Sequence, residues 1–78
     1  MLDIQTYYKE ELEKIFTHHN PTEEQIKIMS EIRAKALELA QFILANTEVN
    51  RELDKCIELL EQVSMHANAN IARNGLNN

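Results

Sequence analysis

Residues 45–56, ANTEVNRELDKC, decide the fold, because they separate two long segments whose apolar residues have helical spacing. Thr47 and Asn50 both favour the position before a helix, where a side-chain oxygen accepts a hydrogen bond from a backbone N–H. A helix ending near Ala45 and another starting near Asn50 leave a short connection, and short connections join antiparallel neighbours. The sequence therefore predicts a helical hairpin that turns here.

Apolar side chains recur at alternating spacings of three and four on both sides of this turn, at about residues 21–45 and 50–74. This heptad spacing is typical of the line along which two packed helices touch, which we call the seam. The predicted seam residues are Met29, Ile32, Ala36, Leu39 and Ile43, followed by Leu53, Cys56, Leu60, Val63 and Ala67. Gly75 is predicted to end the last helix, since glycine readily adopts the left-handed conformation found there.

A proline-containing turn, HHNPTEEQ at residues 18–25, marks the start of the hairpin. Asn20 can cap the helix with Pro21 at the first helical position. Alternatively, Thr22 can cap it with Gln25 three residues on, as in a capping box. Both alternatives start a helix here, and the sequence leaves the choice open.

The chain begins with a predicted short amphipathic helix at about residues 3–18. Its apolar face contains Ile4, Tyr8, Leu12, Ile15 and Phe16. Off the hairpin seam lies a second apolar stripe, which this helix is too short to cover: Leu37, Leu44, Ile57, Leu59, Met65 and Ile71. A chain of this size buries only about 60% of its unfolded surface, so the uncovered stripe is predicted to be a subunit interface.

Composition supports one all-α domain over residues 1–78, because the chain has one Pro, one Gly and little of the alternation typical of strands. The single Cys56 excludes an internal disulfide. Thirteen acidic and eight basic residues give a net charge of -5, which opposes binding to duplex nucleic acid or an anionic membrane. Neither a signal-like start nor a membrane-spanning run is visible, so a cytoplasmic protein is expected.

No set of residues resembles a catalytic or metal centre. His18, His19, His66 and Cys56 are candidate ligands, but adjacent histidines point to different sides of a helix and a fourth ligand lacks support. Cys56 occupies a predicted seam position, where a buried, unreactive thiol is expected. The chain is therefore predicted to be neither an enzyme nor a metal or cofactor protein.

Two neighbouring tyrosines are candidates for ligand binding. If Tyr8 packs inward, Tyr7 lies near the edge of the apolar face, where its ring can stack on a base. The alternative is that both rings only cover the hairpin. Candidate phosphate partners are Lys9, Lys14, Lys27, Arg33 and Lys35, although single surface charges usually have no ligand.

Three segments resemble the phage anti-CBASS sponge proteins of the second type, whose hairpin is shared with anti-Thoeris sponges. They are HHNPTEEQ, IRAKALELAQFILANT and NRELDKCIELLEQVSMHANANIARNG, and the resemblance covers about residues 19–75. The closing motif, MHANANIARN at residues 65–74, is the most specific part. The sequence departs from the family pattern at His66, where tryptophan is usual, at Asn70, where alanine is usual, and at Glu48 and Val49, where prolines are frequent.

The resemblance implies a compact helical hexamer, a trimer of dimers, in the cytoplasm of the infected bacterial host. Such proteins bind and hide cyclic di- and trinucleotide signals without cleaving them. For a cyclic dinucleotide, the resemblance assigns base stacking to Tyr7 or Tyr8. Thr22 stands where the family carries a lysine, so the phosphate contact is expected from the Thr22 hydroxyl, from Lys27 or from N–H groups at the helix start.

For a cyclic trinucleotide, the resemblance implies arginines contributed by symmetry-related chains. Arg51 and Arg73 both match family arginines, and together with Asn68 of the closing motif they are the candidate trinucleotide contacts. We expect Arg51 to contact the ligand and Arg73 to support assembly, although spacing alone does not separate them. The alternative reading of the whole chain is a helical-hairpin assembly or adaptor protein without a nucleotide ligand.

Overall fold

The protein is described by a computed structural model that covers residues 4–17 and 19–77. Within these residues there are three α-helices and no strand: α1 (Ile4–Phe16), α2 (Glu23–Asn46) and α3 (Arg51–Asn74). The predicted all-α class is confirmed, and α2 and α3 form the hairpin. The predicted start of α1 at Asp3, and His18, lie outside the described residues.

The start of α2 is fixed by a capping box around Thr22. The Thr22 hydroxyl oxygen accepts a hydrogen bond from the Gln25 backbone N–H at 3.1 Å, and the Gln25 side chain accepts one from the Thr22 N–H at 2.9 Å. Of the two predicted caps, the structure therefore selects Thr22. The helix begins at Glu23 rather than at residue 21, and Glu23 and Glu24 place negative charge at its positive end.

The two candidate caps in the hairpin turn act on different helices. The Thr47 hydroxyl donates a hydrogen bond to the Ile43 carbonyl at 2.7 Å and so occupies a group at the end of α2. The Asn50 side-chain oxygen accepts a hydrogen bond from the Leu53 N–H at 3.1 Å and caps α3. Side chains of the turn itself thus bond the end of α2 and cap the start of α3.

Gly75 ends α3, as the sequence predicts. Its φ of 86° lies in the range that favours glycine, and its N–H donates a hydrogen bond to the Ile71 carbonyl at 2.8 Å. The left-handed residue satisfies a carbonyl of the last turn, which no longer has a helical partner.

The observed seam keeps spacings of three and four, but in a different order from the prediction. Among the described residues, Leu53 and Ile71 are the two buried apolar side chains, 5% and 8% exposed. They lie 18 residues apart, which is five turns at 3.6 residues per turn. After Leu60 the seam continues at spacings of four, three and four, through Ser64, Ala67 and Ile71, whereas the prediction took three and then four.

Four seam predictions are wrong because of this difference in order. Leu39 and Val63 are 47% and 62% exposed, and Cys56 is exposed rather than a buried thiol. Ile71, predicted to lie off the seam, is buried in it. Six predicted seam residues are half-buried, as expected: Met29, Ile32, Ala36, Ile43, Leu60 and Ala67. Four further half-buried residues were not predicted to lie in the seam: Ile28, Ala40, Ser64 and Asn68.

The apolar face of α1 is not buried. None of its side chains is buried, and Ile4 and Phe16 at its two ends are 75% and 81% exposed. Extensive packing between the described helices is confined to α2 and α3. The His19 imidazole lies 2.9 Å from the Lys14 carbonyl and so contacts the last turn of α1.

The protomer is elongated and exposes more surface than a compact monomer of its mass. It measures 50 × 30 × 21 Å, and its radius of gyration of 16.4 Å exceeds the roughly 11.5 Å of a compact domain of this length. Its accessible surface is 6870 Å², compared with about 4,900 Å² for a folded monomer of this mass. The excess is therefore about 2,000 Å². Among the described helices, none is both long and apolar enough to cross a membrane.

Candidate ligand-binding surface

Two exposed aromatic rings stand side by side on α1. Tyr7 and Tyr8 are 53% and 59% exposed, with ring centroids 5.6 Å apart and planes inclined at 77°. This edge-to-face arrangement leaves ring faces accessible, and an aromatic face is what a nucleobase stacks on. Tyr8 is as exposed as Tyr7, so it does not pack inward in the protomer.

The start of α2 presents the two candidate phosphate contacts. The Thr22 hydroxyl oxygen already accepts the Gln25 N–H, but its O–H remains able to donate. Lys27 is exposed and, among the described residues, makes no ion pair. Glu23 and Glu24, within one turn of Lys27, oppose the approach of an anion along this side of the helix.

The structure does not bring the tyrosines to Thr22 and Lys27 within one protomer. In the described part of the chain, no hydrogen bond, ring contact or ion pair links Tyr7 or Tyr8 with Thr22 or Lys27. The aromatic rings and the candidate phosphate contacts therefore lie on elements that do not pack extensively together. A pocket using both sets requires a rearranged α1 or a second chain.

Arg51 and Arg73 lie at opposite ends of α3. They are 22 residues apart, about 33 Å along a helix, so one small ligand cannot touch both in one protomer. Arg73 lies in the last turn and is exposed, where its charge complements the helix dipole. Neither arginine makes an ion pair with another described residue.

A shallow depression of about 460 Å³ surrounds Arg51 at the start of α3. Lys55 adds a second positive charge, but it lies 4.0 Å from Glu58 in an exposed pair. Glu52 and Asp54 also line the depression, so its own charge is not positive. An anion bound here needs further positive groups or N–H donors beside those of this depression.

Asn68 belongs to the seam rather than to the outer surface. Its side-chain nitrogen donates a long hydrogen bond of 3.4 Å to the Met29 carbonyl on α2. Its side-chain oxygen is buried and has no partner among the described residues. Heptad spacing missed this contact, although Asn68 lies three residues before Ile71 and so on the same side of a straight helix.

Among the described residues, no three His, Cys, Asp or Glu side chains come together as a metal site. His19 contacts the end of α1, and Cys56 lies on the exposed side of the hairpin turn region. His18 lies outside the described residues.

Comparison with known proteins identifies the hairpin. The family model of the Acb2/Tad1 hairpin domain matches residues 8–72. This range includes all of α2, nearly all of α3 and most of α1. No curated protein and no solved structure gives a significant match. The family implies a sponge-type anti-defence role, and its members are binding sponges rather than enzymes. The chain therefore belongs to the Acb2/Tad1 hairpin family of anti-CBASS 2 and anti-Thoeris sponges.

Proposed function

We propose that this protein is a non-enzymatic sponge that sequesters cyclic di- or trinucleotide signals of bacterial antiphage immunity and so prevents effector activation. The family match over residues 8–72 carries this proposal. Its place of action is the cytoplasm of the infected bacterium, where soluble nucleotide signals are made and read.

Homo-oligomerisation is part of the proposal. The protomer exposes about 2,000 Å² more surface than a monomer of its mass, while a standard interface buries about 800 Å² on each partner. Two interfaces per protomer account for most of this excess. Two distinct interfaces also allow assemblies larger than a dimer, such as the hexameric trimer of dimers that the resemblance implies.

A cyclic dinucleotide is proposed to bind between protomers. The rings of Tyr7 and Tyr8 supply stacking surfaces, and Thr22 and Lys27 supply donors for the phosphates. These groups are separated within one chain, so a neighbouring protomer completes the pocket. The acidic residues Glu23 and Glu24 limit the affinity of this site for an anion.

A cyclic trinucleotide is proposed to use arginines from several copies. Arg51 is our choice for the ligand contact, because it makes no ion pair with another described residue and is the first residue of α3, where the helix has free N–H groups. Arg73, about 33 Å away on the same helix, is assigned to assembly. Asn68 is assigned an indirect role through the seam, since its amide faces α2.

Isothermal titration against 2′,3′- and 3′,3′-linked cyclic di- and trinucleotides tests the proposal. Binding, followed by recovery of intact ligand after the protein is denatured, supports a sponge. Recovery of linearised ligand indicates an enzyme and contradicts it. An oligomer that binds none of these ligands at micromolar concentration supports the assembly or adaptor protein instead.

A further inference from the structure

An apolar groove runs along one face of the hairpin. It has a volume of about 350 Å³ and lies between the exposed side chains of Leu37 on α2 and Ile57 and Met65 on α3. The small residues Ala36 and Ala40 form part of its floor. Small side chains allow another helix to approach closely, and in this protomer no described helix other than α2 and α3 lines the groove.

The groove carries one charge of each sign on opposite helices. Arg33 on α2 and Glu61 on α3 both line it and are exposed. Arg33 donates a hydrogen bond to Ser30 of its own helix at 3.2 Å, and among the described residues neither Arg33 nor Glu61 makes an ion pair.

The hairpin register fixes how these two charges stand along the groove. Because Asn68 contacts Met29, and the helices are antiparallel, Glu61 lies level with Ala36. Arg33 is three residues from Ala36, so the positions of Arg33 and Glu61 along the helix axes differ by about 4.5 Å. Both are within reach of a common partner surface.

We propose that this groove is a two-fold interface with a second copy of the chain, closed by Arg33 of each protomer against Glu61 of the other. The proposal rests on the homo-oligomer in the proposed function and names one of its interfaces. A two-fold axis parallel to the helices places α2 of one copy over α3 of the other at the same level. Each Arg33 then faces a Glu61, and the two ion pairs are equivalent by symmetry.

This arrangement also gives a stable helical architecture. Four helices surround one apolar core formed from two grooves, and every helix is antiparallel to both of its neighbours. Leu37 of one copy packs beside Ile57 of the other. An interface of standard size uses about 800 Å² of the protomer's excess surface and leaves α1 and the opposite hairpin face for a second contact.

Charge reversal in the full-length protein tests this interface. Arg33→Glu and Glu61→Arg are each expected to weaken self-association about 30-fold or more, because two like charges then meet at two symmetric positions. The double variant R33E/E61R restores opposite charges and is expected to return to within about tenfold of the wild type. Light scattering over a dilution series measures the mass, and circular dichroism verifies that the helices are retained.

Lys35→Glu is the matched control, because it makes the same charge change nearly opposite Arg33 around α2. Leu37→Glu is a second disrupting variant at a 60% exposed position, where it does not interfere with the protomer's own seam. Unchanged assembly in both single charge variants overturns the proposal. Loss of assembly without recovery in the double variant also overturns it and indicates another occupant, such as α1 of a neighbour.

Nucleotide titration of the same variants separates this inference from the proposed function. If the variants assemble as the wild type does and still bind cyclic nucleotides, the interface proposal fails and the sponge proposal stands. If the charge pair behaves as expected but no variant or wild type binds a nucleotide, the interface stands and the sponge proposal fails.

Discussion

The hairpin and α1 are both amphipathic, but only the hairpin buries apolar side chains within the protomer. Leu53 and Ile71 lie in the contact between α2 and α3, whereas the apolar side chains at the ends of α1 are about four-fifths exposed. The hairpin turn also contains its own helix caps. The difference indicates that the hairpin's contacts are specified within one chain, while α1 has no comparable packing within the protomer.

The strongest test of this comparison is Leu53→Ala. Leu53 is 5% exposed, and removing its side chain is expected to reduce the free energy of unfolding by about 2–4 kcal/mol. Urea denaturation monitored by circular dichroism measures the change. Val49→Ala, at an 81% exposed position, is the control and should change stability by less than about 0.5 kcal/mol. Equal effects at the two positions would mean that the hairpin has no core of its own.

The two arginines sharpen the comparison within the hairpin. Arg51→Ala is expected to reduce trinucleotide affinity by about 2 kcal/mol or more, since a charge-assisted contact is lost, and to leave the oligomer intact. Arg73→Ala is expected to weaken assembly, with or without a loss of binding. Calorimetry and light scattering on both variants separate the two roles. Wild-type behaviour of both variants in both measurements contradicts the assignment.

The tyrosines test whether α1 serves the ligand rather than the fold. Tyr7→Ala or Tyr8→Ala is expected to reduce cyclic dinucleotide affinity by about 1–2 kcal/mol through loss of base stacking. The matched Tyr→Phe variants keep the ring and should bind nearly as the wild type does. The same alanine variants should leave the urea midpoint of the hairpin almost unchanged. A large fall in that midpoint instead assigns the rings to the protein core.

The caps give the smallest expected effects. Asn50→Ala and Thr22→Ala each remove one acceptor at a helix start and should lower stability by about 1 kcal/mol, while Thr22→Ser keeps the hydroxyl. Thermal unfolding measures these changes. If Thr22→Ala loses nucleotide affinity at unchanged stability, its hydroxyl serves the phosphate and not the helix.

The parts of the fold that depend on neighbouring residues in sequence were predictable. The helix order, the turn between α2 and α3 and the stop at Gly75 follow from caps and apolar spacing, which act over a few residues. The choice between Asn20 and Thr22 was not predictable, because both residues satisfy a capping pattern. The structure decides it through two hydrogen bonds between Thr22 and Gln25.

The seam was predicted only in part, for a geometric reason. Spacings of three and four can continue from one residue in two orders, and the sequence analysis selected Val63 where the contact passes through Ser64 and Ile71. The candidate site was less predictable than the seam from the sequence of one chain. No ring contact or ion pair joins Tyr7 and Lys27 among the described residues, so their shared role in binding remains a prediction.

The Asn68 side-chain amide disfavours alternative alignments of α2 and α3. Its hydrogen bond to Met29 is long, and its oxygen has no described partner, so it adds little to stability. Sliding α3 along α2 by one turn, however, removes even this bond and leaves the amide buried against apolar atoms, which costs about 1–3 kcal/mol. The residue thus makes mis-registered hairpins less populated than the native one. A weak bond thereby selects a single alignment of two otherwise similar apolar stripes.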